Sequence, residues 1–211
     1  MAYINIQNVS KNIHKASILR NINLSLEKGK IYGFVGKNGS GKTMLFKAIL
    51  GLIKIDTGTI AIDNKKIING NAFPVPVGIM IENIGLWSYL SAYDNLKALD
   101  LLSGKPDKNK IINAIETVGL DPYSKKKFSS FSLGMKQRLV LAQAIMDHPE
   151  LLVLDEPTNA LDAEGIQLFK RIIKKEVEKG TTVLISSHSM EDFNGFCDEV
   201  FHLSNGEVTN Y

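Results

Sequence analysis

Residues 36 to 43 read Gly36-Lys37-Asn38-Gly39-Ser40-Gly41-Lys42-Thr43. The eight fit G-x-x-x-x-G-K-[ST], the spacing of a loop that wraps phosphate groups. Gly36, Gly39 and Gly41 permit backbone angles and close approaches that a Cβ would block. Successive N–H groups can then converge on phosphate oxygens at the positive end of the following helix. Lys42 is placed to reach the β and γ phosphates of a nucleotide, and the Thr43 hydroxyl to ligate Mg2+. The flanks suit this. Ile31 to Val35 upstream is a short β-rich run, and Met44, Leu45, Ala48, Ile49 and Leu52 downstream recur at helical spacing. The bland alternative is a glycine-rich hairpin with an exposed lysine, which does not require a helix to follow.

Moving outward, the pattern changes character twice. Ile4 to Val9 and Ile18 to Leu26 predict strands, with a turn at Lys28-Gly29, and Gly58 to Ile62 predicts another. Between Ser91 and Ile145 the apolar residues fall at helical spacing: Leu96, Leu99 and Leu102, then Ile111, Ile112, Ile115 and Val118. Breaks fall at Gly104-Lys105-Pro106 and from Gly119 to Pro122. This predicts a helical insert over about residues 91–146, opened by Ser91 with Asp94 three residues on, a weak capping box. From Leu151 strands and helices alternate: LLVLD, an amphipathic run from Asp162 to Lys179 ended by Gly180, TTVLIS, a short helix around Met190, and Val200 to Leu203. Such alternation implies a parallel sheet covered on both faces. The expected fold is α/β: a mostly parallel core sheet, an N-terminal antiparallel β part and a helical insert, in one domain spanning residues 1–211.

Composition bounds the function. Over 211 residues, Lys plus Arg total 25 against 22 Asp plus Glu, a net charge of +3. That is too balanced for the footprint of a nucleic-acid binder, so no nucleic acid is expected. The longest uncharged stretch, Ile67 to Ile81, is shorter than the about 20 apolar residues that span a bilayer, and it contains Pro74 and Pro76. The opening Tyr3-Ile4-Asn5-Ile6 is not a secretion signal, which predicts a chain that stays on the cytoplasmic side. Cys197 is the one cysteine and is expected to be a small core hydrophobe.

Two further stretches carry chemistry. Leu151 to Glu156 reads LLVLDE, a buried strand with two carboxylates at its C-terminal end, where α/β sheets bind ligands. Asp155 is expected to hold Mg2+ through water. Glu156, pointing the other way across the pleat, is expected to orient or deprotonate an attacking water. Phe131 to Arg138 reads FSLGMKQR, a helix start with Ser132 as its N-cap, Gly134 early, and Leu139, Leu141, Ala142 and Ile145 on the buried side.

Taken together, the phosphate loop, SLGMKQRL, LLVLDE, Asn159-Ala160-Leu161-Asp162 and His188 after TTVLISS resemble, in that order, the nucleotide-binding subunit of an ATP-binding cassette (ABC) transporter. Ser132 and Gly134 stand at the family's signature Ser and Gly. Leu133 and Met135 replace a commoner Gly and Gln, as in the branch that exports peptide antibiotics such as bacitracin and lantibiotics. The resemblance implies a P-loop ATPase of ABC type acting as a head-to-tail dimer, with a second copy or a paralogous chain. Two ATP molecules lie between the subunits, each held by Gly36 to Thr43 of one chain and by Ser132 and Gly134 of the other. It also implies that Asp162 communicates between sites, that His188 contacts the γ phosphate, and that Glu82 stands where most members carry a Mg2+-ligating Gln. Separate transmembrane permease subunits would be partners, at the cytoplasmic face of the membrane, with an antimicrobial peptide as a candidate export substrate.

Ile13 stands where an aromatic side chain normally stacks on adenine, so weaker stacking is expected unless His14 supplies the ring. His148 and His202 have no expected role. Trp87 and Tyr89, within the apolar stretch NIGLWSYL from Asn83 to Leu90, are expected either in the core or in a groove for the membrane partner; Lys125 to Lys127 are expected in a solvated turn. Because the chain stops soon after Asn205-Gly206, dimerisation is expected to depend on ATP. Three other readings are weaker. A soluble ABC ATPase of translation or DNA repair usually needs two cassettes or a long coiled coil. A small-molecule kinase tends to need several lid arginines, and only Arg20, Arg138 and Arg171 exist. A regulator that binds nucleotide without turnover leaves Glu156 without a use.

Overall fold

The computed structural model describes residues 2–14, 16–81 and 85–210. Its N-terminal part is an antiparallel sheet in the order β2-β1-β4-β5, formed by β1 (Ile4–Ile13), β2 (Ala16–Leu26), β4 (Thr57–Ile62) and β5 (Lys65–Lys66). Alternation puts Ile4, Ile6, Leu24, Leu26, Ile60 and Ile62 inside. The alternation stops being regular after Ile6, where the β1–β2 pairing shifts register and Asn8 takes a positive φ of 51°.

The second sheet has six strands in the order β10-β9-β3-β8-β7-β6: β3 (Ile31–Val35), β6 (Val77–Met80), β7 (Leu151–Leu154), β8 (Thr182–Ser187), β9 (Glu199–Ser204) and β10 (Glu207–Asn210). Every pair from β9 to β6 is parallel, and only β10 pairs antiparallel. β3, β7 and β8 are buried along their whole length, which is why they read as continuous apolar runs. β6 gave no such signal. Gly78 interrupts its apolar run, and the strand follows Pro74 and Pro76.

Helix α1 (Lys42–Ile49) packs between the two sheets: Phe34 of β3 meets Phe46 of α1 edge to face and Phe201 of β9 in a stack, both at 5.3 Å between ring centres. Each such ring contributes about 1.5–3 kcal/mol by burial. On the other face lie α2 (Ala92–Leu102), α3 (Lys108–Thr117), α4 (Leu133–Ile145) and α5 (Ala163–Glu178). Two N-caps, Ser91 and Ser132, are those the sequence marks, and Asp162 is a third that it gives only as the start of an amphipathic run. Ser91 accepts from the Asp94 N–H, Ser132 from Met135 and Asp162 from Gly165. The run around Met190 is a single 3-10 turn, Met190–Phe193. α4 lies backbone to backbone on β6, because a Cβ on Gly78 would come within 2.0 Å of the Ala144 carbonyl oxygen. This contact fixes where α4, and therefore Ser132, sits relative to the sheet. Among the described residues no helix is long and apolar enough to cross a membrane.

Candidate functional site

The C-terminal ends of β3, β7 and β8 lie side by side, and the loops leaving them build the site. From β3 the chain turns through Gly36 to Gly41 into α1. Gly36 is held close to β9: a Cβ there would lie 2.3 Å from the Leu203 carbonyl oxygen and 2.6 Å from Ser40 Oγ. Gly41 is the N-cap of α1 with φ 110°, a left-handed angle that disfavours a side chain, and no side chain caps the first turn. The Gly36 N–H donates to the Ser187 carbonyl at 3.2 Å, tying the loop to β8.

A cavity of about 460 Å³ opens over this loop, lined by Ile18, Asn38 to Met44 and Glu156. Into it face groups that suit a polyphosphate. Ser40 Oγ is buried and has no hydrogen-bond partner among the described residues. Lys42 is 5% exposed; its Nζ donates to the Gly36 carbonyl at 2.7 Å and the Lys37 carbonyl at 3.3 Å, and lies 3.4 Å from Glu156 Oε1. A cation held mainly by two neutral carbonyls has capacity for an anion.

At the far side Thr43 Oγ1 donates to Asp155 Oδ2 at 2.5 Å, and the Ser186 hydroxyl donates to Asp155 Oδ1. Asp155 is buried. A hydroxyl and a carboxylate in contact are oxygen donors of the kind Mg2+ takes, one or two from protein and the remainder from phosphate and water. Among the described residues no cluster of three or more His, Cys, Asp or Glu offers a closed metal cage. The Thr43 hydroxyl and Asp155 carboxylate beside the phosphate loop are a donor set that fits a Mg2+ shared with a nucleotide. Glu82 lies outside the described residues.

Glu156 departs from the pleat argument. It is not in β7, which ends at Leu154, and its φ is 48°, in the left-handed region where a glutamate is disfavoured. That backbone twist, rather than strand alternation, turns its carboxylate away from Asp155 toward Lys42 and Asn159, whose Nδ2 donates to Glu156 Oε2 at 2.5 Å.

Several predicted residues are not gathered here. Ser132, Gly134, Asp162 and His188 do not line the cavity, and Ser132 and His188 are exposed. Gly134 stands over the Ala160 carbonyl, 3.1 Å from where its Cβ would be. Asp162 lies 4.0 Å from Arg138. Ile13 is 39% exposed and outside the cavity lining, whereas Ile18 of β2 is part of it. Trp87 and Tyr89 are 37% and 63% exposed, so they are not core residues, and Leu86 beside them is. Cys197 is half-buried beside Gly33 and burial pushes its thiol up to about 12, as for a packing residue. A wider hollow of about 670 Å³ between α3 and α5 is lined by Lys110, Lys175 and Lys179, of which Lys110 pairs with Asp100 and Asp147 and Lys179 with Glu176.

Comparison with known proteins agrees with this geometry. Residues 19–159 match the family model for the ABC transporter. The lantibiotic transport ATP-binding protein SrtF of Streptococcus pyogenes is 36% identical over 205 residues, covering 97% of this chain and 88% of SrtF. The bacitracin transport ATP-binding protein BcrA of Enterococcus faecalis is 40% identical over 208 residues, covering 97% of this chain and 67% of BcrA. Among solved structures, the dimeric form of MJ0796, a bacterial ABC transporter cassette, superposes with a TM-score of 0.88 at 24% identity over 98% of this chain and 97% of MJ0796, a likeness of fold. With a phosphate loop set at the ends of three parallel strands and relatives of this kind along nearly its whole length, the chain belongs to the ABC transporter family, as one of its ATP-binding, ATP-hydrolysing subunits.

Proposed function

We propose that the chain is a single-domain motor subunit that hydrolyses Mg-ATP in a head-to-tail dimer and drives export of a peptide, an antimicrobial peptide by analogy with the lantibiotic and bacitracin transport proteins, through separate transmembrane permease subunits. It works peripherally, at the cytoplasmic face of the membrane. The observation that carries the reading is the meeting of Lys42, Thr43, Asp155 and Glu156 at the C-terminal ends of the central strands.

In this mechanism the amides of residues 36–43 wrap the β phosphate and Lys42 exchanges its carbonyl partners for phosphate oxygens. Thr43 and Asp155, with Glu82, would hold Mg2+, which would neutralise phosphate charge. Glu156 accepts a proton from, or orients, the attacking water in line with the γ phosphate. Ser132 and Gly134 of a second copy present the α4 N-terminus to that phosphate, His188 contacts it, and Asp162 relays between the two sites. The demand on the protein is positioning and charge, with no covalent step.

Glu156→Gln tests the reading. Hydrolysis is expected to fall at least about a hundredfold, the scale of general-base loss, while Mg-ATP stays bound and the dimer accumulates. An undiminished turnover rate would remove Glu156 from the chemistry.

A further inference from the structure

We propose that Ser186 is a positioning residue for hydrolysis: one buried hydroxyl on β8 sets the Asp155 carboxylate and the Glu156 backbone together. Ser186 is fully buried on β8, a strand buried from end to end, directly after Val183, Leu184 and Ile185. An aliphatic side chain is the ordinary occupant of such a place. A hydroxyl is retained at low cost there only if it is fully bonded, and both of its bonds go to the site. A carboxylate accepts and cannot donate, so the single Ser186 hydrogen points at Asp155 Oδ1, and its lone pair accepts the Glu156 N–H at 2.9 Å. Thr43 takes the other carboxylate oxygen, so Asp155 cannot rotate.

The amide bond matters because Glu156 has φ 48°. A glutamate leaves that angle unless something fixes it, and relaxing it would swing the carboxylate away from Lys42. The neighbouring Ser187 serves another end. Its hydroxyl donates to Asp192 and accepts from the Ser189 N–H at 3.0 Å, forming the turn that follows β8. Two adjacent serines on opposite sides of one strand thus divide the work.

The inference rests on the role given to Glu156, so Ser186→Ala and Ser186→Thr are compared with Glu156→Gln in the full chain. Three quantities are read: kcat and KM for ATP, amide hydrogen exchange at Glu156, and the thermal melt. For Ser186→Ala, kcat is expected to fall about tenfold or more with KM within about twofold, and the Glu156 amide to exchange at least about tenfold faster, the scale of one lost bond to a charged or strained group. Ser186→Thr keeps the hydroxyl and is expected to restore both to within about threefold. Inactive Glu156→Gln beside a fully active Ser186→Ala overturns this inference alone. So does a loss that follows the folded fraction, a rise in KM at constant kcat, unchanged exchange at Glu156, or a folded threonine variant as slow as alanine. If Glu156→Gln itself turns over normally, the proposed function fails first and this inference with it.

Discussion

Thr43 and Asp155, 112 positions apart in the chain, are joined by a single hydrogen bond of 2.5 Å from Thr43 Oγ1 to Asp155 Oδ2. The first turn of α1 and the end of β7 therefore present two oxygens to one point beside the phosphate loop. A charged oxygen at that point matters to a cation and hardly at all to the nucleotide base or sugar. Asp155→Asn keeps the shape and removes the charge. Nucleotide affinity measured in EDTA is expected to stay within about threefold of the parent, while the gain that Mg2+ gives the parent disappears, as losing a hard anionic ligand demands. Titration of a fluorescent ATP analogue with and without Mg2+ reads this, and a variant that gains as much from Mg2+ as its parent would place the metal elsewhere.

The glycines separate close approach from backbone angle. Gly78 has ordinary backbone angles but no room: its Cβ would press on the Ala144 carbonyl at 2.0 Å, atoms of a helix that cannot give. Gly39 has room, with nothing within 4 Å, but a φ of 78°. Gly78→Ala is expected to destabilise by about 3 kcal/mol or more through overpacking of α4 on β6. Gly39→Ala is expected to cost only about 1–2 kcal/mol, the strain of one left-handed alanine. Urea unfolding of the two variants decides it, and the opposite order would mean that α4 does not rest on β6.

Most of the site was legible because it is local. Gly36 to Thr43 and Leu151 to Glu156 are contiguous, and the caps at Ser91 and Ser132 are read from a residue and the run after it. What escaped is whatever depends on a partner distant in sequence or on a torsion angle. Periodicity makes Ser186 one more position in TTVLISS and cannot say that Asp155 and the Glu156 amide face it. Nor does it announce that Glu156 is left-handed, since glutamate does not favour that angle as glycine or asparagine does. Ile18 escaped for a different reason. The register shifts in β1 and β2 decide which isoleucine reaches the loop, and bulges leave no period to read.

Asp100 and Lys110 form a pair that the periodic pattern of the helical insert conceals. Asp100, the buried acid near the end of α2, accepts from the Lys110 ammonium and from the Asp107 N–H at 2.8 Å. Burial pushes its carboxyl up, but the Lys110 and Asp107 hydrogen bonds and the Lys110 charge outweigh that, and it rests below the ordinary aspartate value. A carboxyl lowered on folding adds stability that is complete above its unfolded value and is lost as pH falls through the folded one. The parent is therefore expected to lose stability as pH falls below about 4, toward and through the lowered folded value, more steeply than Asp100→Asn, which has no such proton to take up. Urea midpoints across that window measure the slopes, and parallel curves would mean that the pair contributes nothing to acid stability. At neutral pH, Lys110→Met is expected to cost about 2 kcal/mol by leaving a buried carboxylate without its partner.

The start of α4 is exposed. Ser132 caps the helix, its Oγ accepting the Met135 N–H at 3.2 Å, yet it is exposed, and Leu133 beside it is 68% exposed with no use inside the fold. Such a helix start carries a positive end turned to solvent. Gly134→Asp uses that field against itself. An acidic residue in the first turn is favoured by the helix dipole, by about 0.3–1 kcal/mol, so the fold should tolerate it apart from a shift of the Ala160 carbonyl 3.1 Å from the new Cβ. Facing a phosphate of another copy, the same carboxylate is repelled. Light scattering of Glu156→Gln is expected to show monomer without nucleotide and dimer with Mg-ATP, and the added Gly134→Asp is expected to abolish the dimer while ATP binding to the monomer persists within about threefold, because Gly134 lies outside its own chain's cavity. Dimers that survive the second substitution would show that the partner's phosphate does not rest on this helix.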